Sequence, residues 1–139
     1  MREDNEQIKH EVYQRIIEYI YVDSIYDNYR NNMTDLPHNG WVYFIEEPLS
    51  KCVKIGYTEN IKTRIEALQT GCPSKLKLLW AIRPKERKAE NNIHNFLKNS
   101  RKQGEWFYPT LSVYEIVLGC ICNCFDGTNL FNIQQIMGE

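Results

Sequence analysis

The sequence predicts an α+β fold, an α/β sandwich in which a small, largely antiparallel three-stranded sheet is flanked by helices. Two segments dense in aromatic and β-branched residues lie either side of a short proline-containing loop, and a third such segment follows. Apolar residues recur with helical spacing before, between and after them. With 139 residues, 42% of them hydrophobic and 25% charged, the chain amounts to about one globular domain.

An N-terminal helix is expected over residues 5 to about 22. Ile8, Val12, Ile16 and Ile20 repeat every fourth position, with Glu6, Lys9, Glu11, Arg15 and Glu18 on the other side. The stripe must be covered, either by the rest of the chain or by a second copy in a homodimer. Asp23–Gly40 is rich in turn formers and reads as a linker, so residues 1–38 form a helical extension, 39–125 the main folded unit and 126–139 a tail.

Trp41–Ile45 and Cys52–Ile55 read as a hairpin. Trp41, Tyr43 and Ile45 share one face and Val42 and Phe44 the other, so both faces are apolar and both need helices over them. Ile61, Ile65 and Leu68 make one such helix, capped by Thr58 or Asn60 and ended by Gly71-Cys72-Pro73, with Arg64 at its rim. Leu76–Ile82 is the third strand. Pro84 precedes a helix from about Lys85 to Lys98, Glu105–Pro109 is a short extended piece, and Ser112-x-x-Glu115 is a capping box for a last helix reaching about Cys124.

Charge is unevenly spread. Lys51–Lys102 holds 13 Lys and Arg against 4 Asp and Glu, while the rest of the chain holds 4 basic against 14 acidic residues. A block this basic either solvates helix faces or suits a polyanion, and Lys51, Lys62, Lys75, Arg87, Lys88, Arg101 and Lys102 are the residues expected to contact a phosphate backbone such as that of duplex or branched DNA. No apolar run is long enough for a membrane span, and the acidic start lacks a signal peptide's layout, so a protein of the cell interior, cytoplasmic or nuclear, is expected, neither secreted nor membrane-bound. The five cysteines are an odd number, and Cys120, Cys122 and Cys124 lie in an apolar stretch, where they read as small buried hydrophobes rather than zinc ligands.

Polar residues with chemical potential fall at element edges. Tyr43 lies in Val42-Tyr43-Phe44-Ile45, Lys54-Ile55-Gly56 comes eleven residues later and Arg64 eight after Gly56. Glu90-x-x-Ile93-His94 follows the third strand, and Gly104-Glu105-Trp106-Phe107 comes next. In this order and spacing the motifs resemble the GIY-YIG nuclease superfamily. The match is to its branch from phages and large DNA viruses, in which K-I-G replaces Y-I-G and E-x-x-[IL]-H and G-E-W-F follow. The resemblance covers roughly residues 41–108. The first motif departs from it, reading Val-Tyr-Phe rather than Gly-Ile-Tyr, and no asparagine matches the family's late polar position.

The resemblance implies an endonuclease that hydrolyses DNA phosphodiesters with one Mg²⁺ or Mn²⁺ ion. Glu90 would be the metal ligand, and Arg64 a two-pronged donor to a phosphate oxygen. Tyr43 would contact the attacking water as base or orienting donor, with Lys54 lowering its pKa or acting as base itself. Tyr57 would position water or phosphate. His94, one turn after Glu90, could orient it, share the metal, shuttle a proton or make a structural hydrogen bond. Glu105 of the G-E-W-F motif could face the site, but the motif is expected to be mostly structural, with Trp106 and Phe107 plugging the core. The alternative is a nucleic-acid-binding or interaction module on the same fold without turnover.

Overall fold

The computed structural model describes residues 2–18, 40–84 and 86–121. Residues 19–39, with Ile20 and the linker up to Asn39, together with Lys85, Cys122, Asn123, Cys124 and the tail, lie outside the described residues. The elements are α1 (Arg2–Glu18), β1 (Trp41–Glu46), β2 (Val53–Thr58), α2 (Ile61–Thr70), β3 (Lys77–Ile82), α3 (Ala89–Phe96), a 3₁₀ turn (Lys98–Ser100), β4 (Arg101–Gln103), β5 (Trp106–Phe107) and α4 (Leu111–Ile121). The strands form one sheet in the order β3-β1-β2-β5-β4, every pairing antiparallel.

Five strands therefore stand where the sequence predicts three. The additions are β4 and β5, three and two residues long, too short for an alternating pattern to be legible. The β1–β2 hairpin forms as expected. Its loop is held by the Glu47 carboxylate, which accepts from the Leu49 and Ser50 N–H groups at 2.8 Å each, before Lys51 turns at φ 64°.

Both sheet faces are buried. Val42, Phe44, Val53 and Ile55 point into one cluster with Ala89, Ile93 and Leu97 from α3 and its C-terminus and Val113, Ile116 and Val117 from α4. Trp41, Tyr43, Ile45 and Ala81 point into the other, closed by Ile61, Ile65 and Leu68 of α2. Asn60 caps α2, its Oδ1 accepting from the Thr63 N–H at 3.0 Å. Helix α3 begins at Ala89 rather than Lys85, and Lys88 at its N-cap makes no side-chain bond to it. Helix α4 begins at Leu111, two residues before the expected box can act, because Thr110 rather than Ser112 accepts from the Val113 N–H at 3.4 Å.

The stripe of α1 does not make its contact with the domain. Ile8, Val12 and Ile16 stay exposed. The opposite side docks on α4: His10 Nε2–H donates to the Pro109 carbonyl at 2.8 Å, its ring lies 4.7 Å from that of Tyr114, and Tyr13 packs on the core. Among the described residues no helix is long and apolar enough to cross a membrane.

Candidate active site

Strand β5 pairs with β2 only at Val53 and Lys54, so from Ile55 onward the edge of β2 is not continued by a strand. Other groups complete its hydrogen bonds, as buried backbone requires. Ile55 N–H donates to the Glu105 carbonyl at 2.9 Å, and His94 Nε2–H donates to the Ile55 carbonyl at 2.8 Å. These bonds draw α3 and the turn before β5 onto one short edge.

Tyr43 faces Gly56 across the β1–β2 ladder. A Cβ at Gly56 would overlap the phenol, so only glycine lets the ring lie there. Tyr43 is 1% exposed, and burial pushes its hydroxyl up to about 12, with the Glu105 and Glu90 carboxylates adding to the rise and the Arg64 guanidinium opposing it. At neutral pH it is a protonated donor. That disfavours the phenolate base allowed by the sequence reading, since the Arg64 charge does not offset desolvation.

Lys54 Nζ lies 3.2 Å from Glu105 Oε1 and 5.5 Å from the Trp106 ring centroid. Glu90 lies near enough to Glu105 for the two carboxyls to influence each other, with Oε1 4.0 Å from the Arg87 guanidinium and Oε2 3.9 Å from His94 Nε2. Burial, then the neighbouring Glu105 carboxyl, push Glu90 up to about 7, against the pull of Arg87 and Lys54. A second carboxyl nearby makes ionisation of Glu90 costlier, and a cation between the two would lower that cost.

His94 has both ring nitrogens engaged. Nε2–H serves Ile55, Nδ1 accepts from Arg101 Nη2 at 3.1 Å, and the ring meets Phe107 edge-on with centroids 5.0 Å apart. Burial lowers its pKa, and its contacts are those of a neutral residue that fixes α3 to β2. Tyr57 sits on the other sheet face, partly buried against the α3–α4 cluster, with the Arg87 guanidinium 3.6 Å from its ring centroid. Arg87 thus links Tyr57 to Glu90. Arg64 is exposed on α2 and near enough to act on Tyr43.

The structure brings Tyr43, Lys54, Arg64, Glu90 and His94 into one electrostatic neighbourhood, joined by Arg87 and Arg101 from the expected polyanion set. Lys51 lies 4.0 Å from Glu46 and Lys88 3.1 Å from Glu86, while Lys62 and Lys75 are exposed on and after α2. Lys102 lines a neighbouring cleft.

Trp106 and Phe107 pack into the two clusters, as a structural motif should. Glu105, beside them in the same motif, does not share that role: its side chain is 41% exposed and meets Lys54. Glu90 and Glu105 are the carboxylates that could hold a cation here; among the described residues no group of three or more His, Cys, Asp or Glu is placed to do so.

Residues 40–122 match the family model of the T5orf172 domain. No curated protein and no solved structure matches the chain.

Proposed function

The chain belongs to the T5orf172 domain family, and from that premise we propose that it is a GIY-YIG-type endonuclease that hydrolyses DNA phosphodiester bonds with one divalent cation. The observation that carries this reading is the convergence of Tyr43, Lys54, Arg64, Glu90 and Glu105 on the edge of β2 where β5 stops.

The donor set fits Mg²⁺ or Mn²⁺. Hard cations of this kind are held by one or two carboxylates and keep several waters, and Glu90 with Glu105 supplies two such groups, the first of which a cation would draw into its ionised form. When bound, the ion polarises a phosphoryl oxygen. The protein's own groups meet the remaining demands of the reaction. Arg64 offers a planar two-pronged donor to a non-bridging oxygen, which a lysine cannot imitate. Lys54 brings positive charge to the phosphate as charge builds on it. Tyr43, protonated and locked over Gly56, orients the attacking water by a hydrogen bond. His94 and Arg101 act at one remove, holding α3 and β2 in register.

Supercoiled plasmid incubated with Mg²⁺ or Mn²⁺ tests the proposal. Wild type nicks it, and Glu90→Ala and Arg64→Ala each lose at least roughly 100-fold in rate, as removal of one transition-state contact does elsewhere. Equal inertness of wild type and Glu90→Ala with both metals, alongside salt-sensitive DNA binding, would replace the enzyme with a binding module.

A further inference from the structure

An open cleft near the hairpin end of the sheet takes no part in the chemistry above. It measures about 270 Å³ and is lined by Glu47, Ser50, Cys52, Lys102, Gln103 and Trp106. Cys52 precedes Lys54 by two residues of extended chain, about 7 Å. Trp106 belongs to both places, since it pairs with Lys54 across the β2–β5 ladder and also walls the cleft. A nucleic acid strand with one phosphate at Lys54 therefore has its neighbouring nucleotide at the cleft mouth.

The lining selects for a flat, uncharged ligand with hydrogen-bonding edges. Trp106 is half-buried and supplies an aromatic surface, and the buried Cys52 adds apolar area. Gln103 is exposed, with an amide that both donates and accepts. The Glu47 carboxylate is held ionised by the Leu49 and Ser50 N–H groups, so an anion is repelled from the interior. The exposed Lys102 attracts one to the rim. A neutral base inside with its phosphate outside satisfies all of these groups.

We propose that this cleft is a nucleobase subsite that takes one unpaired base beside the scissile phosphate, with Trp106 as the stacking surface and Gln103 reading the base edge. The proposal rests on the nuclease reading for the chain that delivers the base. It gives the enzyme a preference at a single position next to the cut and a bias toward locally unpaired DNA, since a base inside a duplex cannot enter.

The test uses the full chain and the four deoxynucleoside monophosphates, with saturation transfer from protein to base protons read by NMR. Wild type should transfer saturation to base protons. Trp106→Leu should weaken binding of all four by roughly tenfold, the loss of one stacked base. Gln103→Ala, which removes no core contact, should equalise the four, and Lys9→Ala, exposed on α1, should behave as wild type. No transfer in wild type, or the same pattern in wild type and Gln103→Ala, overturns the subsite. Plasmid nicking by the same preparations separates the two ideas. Nicking without base contact removes the subsite alone, and base contact without nicking removes the nuclease.

Discussion

Glu90 illustrates how one side chain's surroundings set its chemistry. Its side chain is 13% exposed, and burial first, then the neighbouring Glu105 carboxyl, lift its pKa from the ordinary 4.5 to about 7. A carboxyl whose pKa is raised on folding stabilises the fold below its unfolded value, and that contribution is lost as pH rises through the folded one. Thermal melts of the metal-free protein should therefore fall in midpoint between about pH 4.5 and 7, and Glu90→Gln should flatten that fall. A parallel decline in the variant would show that the carboxyl pair is not its source. Gly56 makes a second residue-scale case. Gly56→Ala drives a methyl into the Tyr43 phenol, and an overpacked core costs about 1–3 kcal/mol, readable as a lowered denaturant midpoint with nicking lost as the phenol shifts.

At the scale of elements, long periodic segments were legible and short ones were not. The β1–β2 hairpin, α2 with its Asn60 cap, and β3 could be read because aromatic, β-branched and capping residues act locally. Strand β5 could be read only as the extended piece Glu105–Pro109 and β4 not at all, since β5 becomes a strand by pairing with β2, distant in sequence, and β4 by pairing with β5. The site divided the same way. Tyr43, Lys54, Arg64 and Glu90 stand out by motif spacing, whereas the place of Glu105 is set by the turn at Gly104, φ 57°, which brings it to Lys54. Helix α1 shows a different limit. Its apolar stripe is its least covered side, while His10 and Tyr13 dock on α4, a helix buried nearly all round. Removing residues 1–38 should therefore uncover Tyr114 and the adjoining face of α4, giving a protein that self-associates in sedimentation. A monodisperse monomer of unchanged melting midpoint would mean that α1 adds nothing to the domain.

For the whole molecule, the arrangement of charge matters more than its sum. The net charge is −1, yet the basic block carries the residues that ring the site. DNA binding should weaken with salt, and Lys62→Ala and Lys102→Ala should each reduce the slope of log affinity against log salt by about one, the mark of one lost phosphate contact. Lys88→Ala should leave it unchanged, because Lys88 is paired with Glu86 at 3.1 Å. The claim beneath all of this is that the groups at the edge of β2 act on one phosphate as a unit. Single-turnover nicking by Lys54→Ala, Glu90→Ala and the double variant, each with a melting midpoint close to wild type, tests it most directly. Groups that work together lose their effect together, so the double variant should be about as slow as the slower single one. Losses that multiply, or a Lys54→Ala protein that cuts at the wild-type rate, would contradict a shared site.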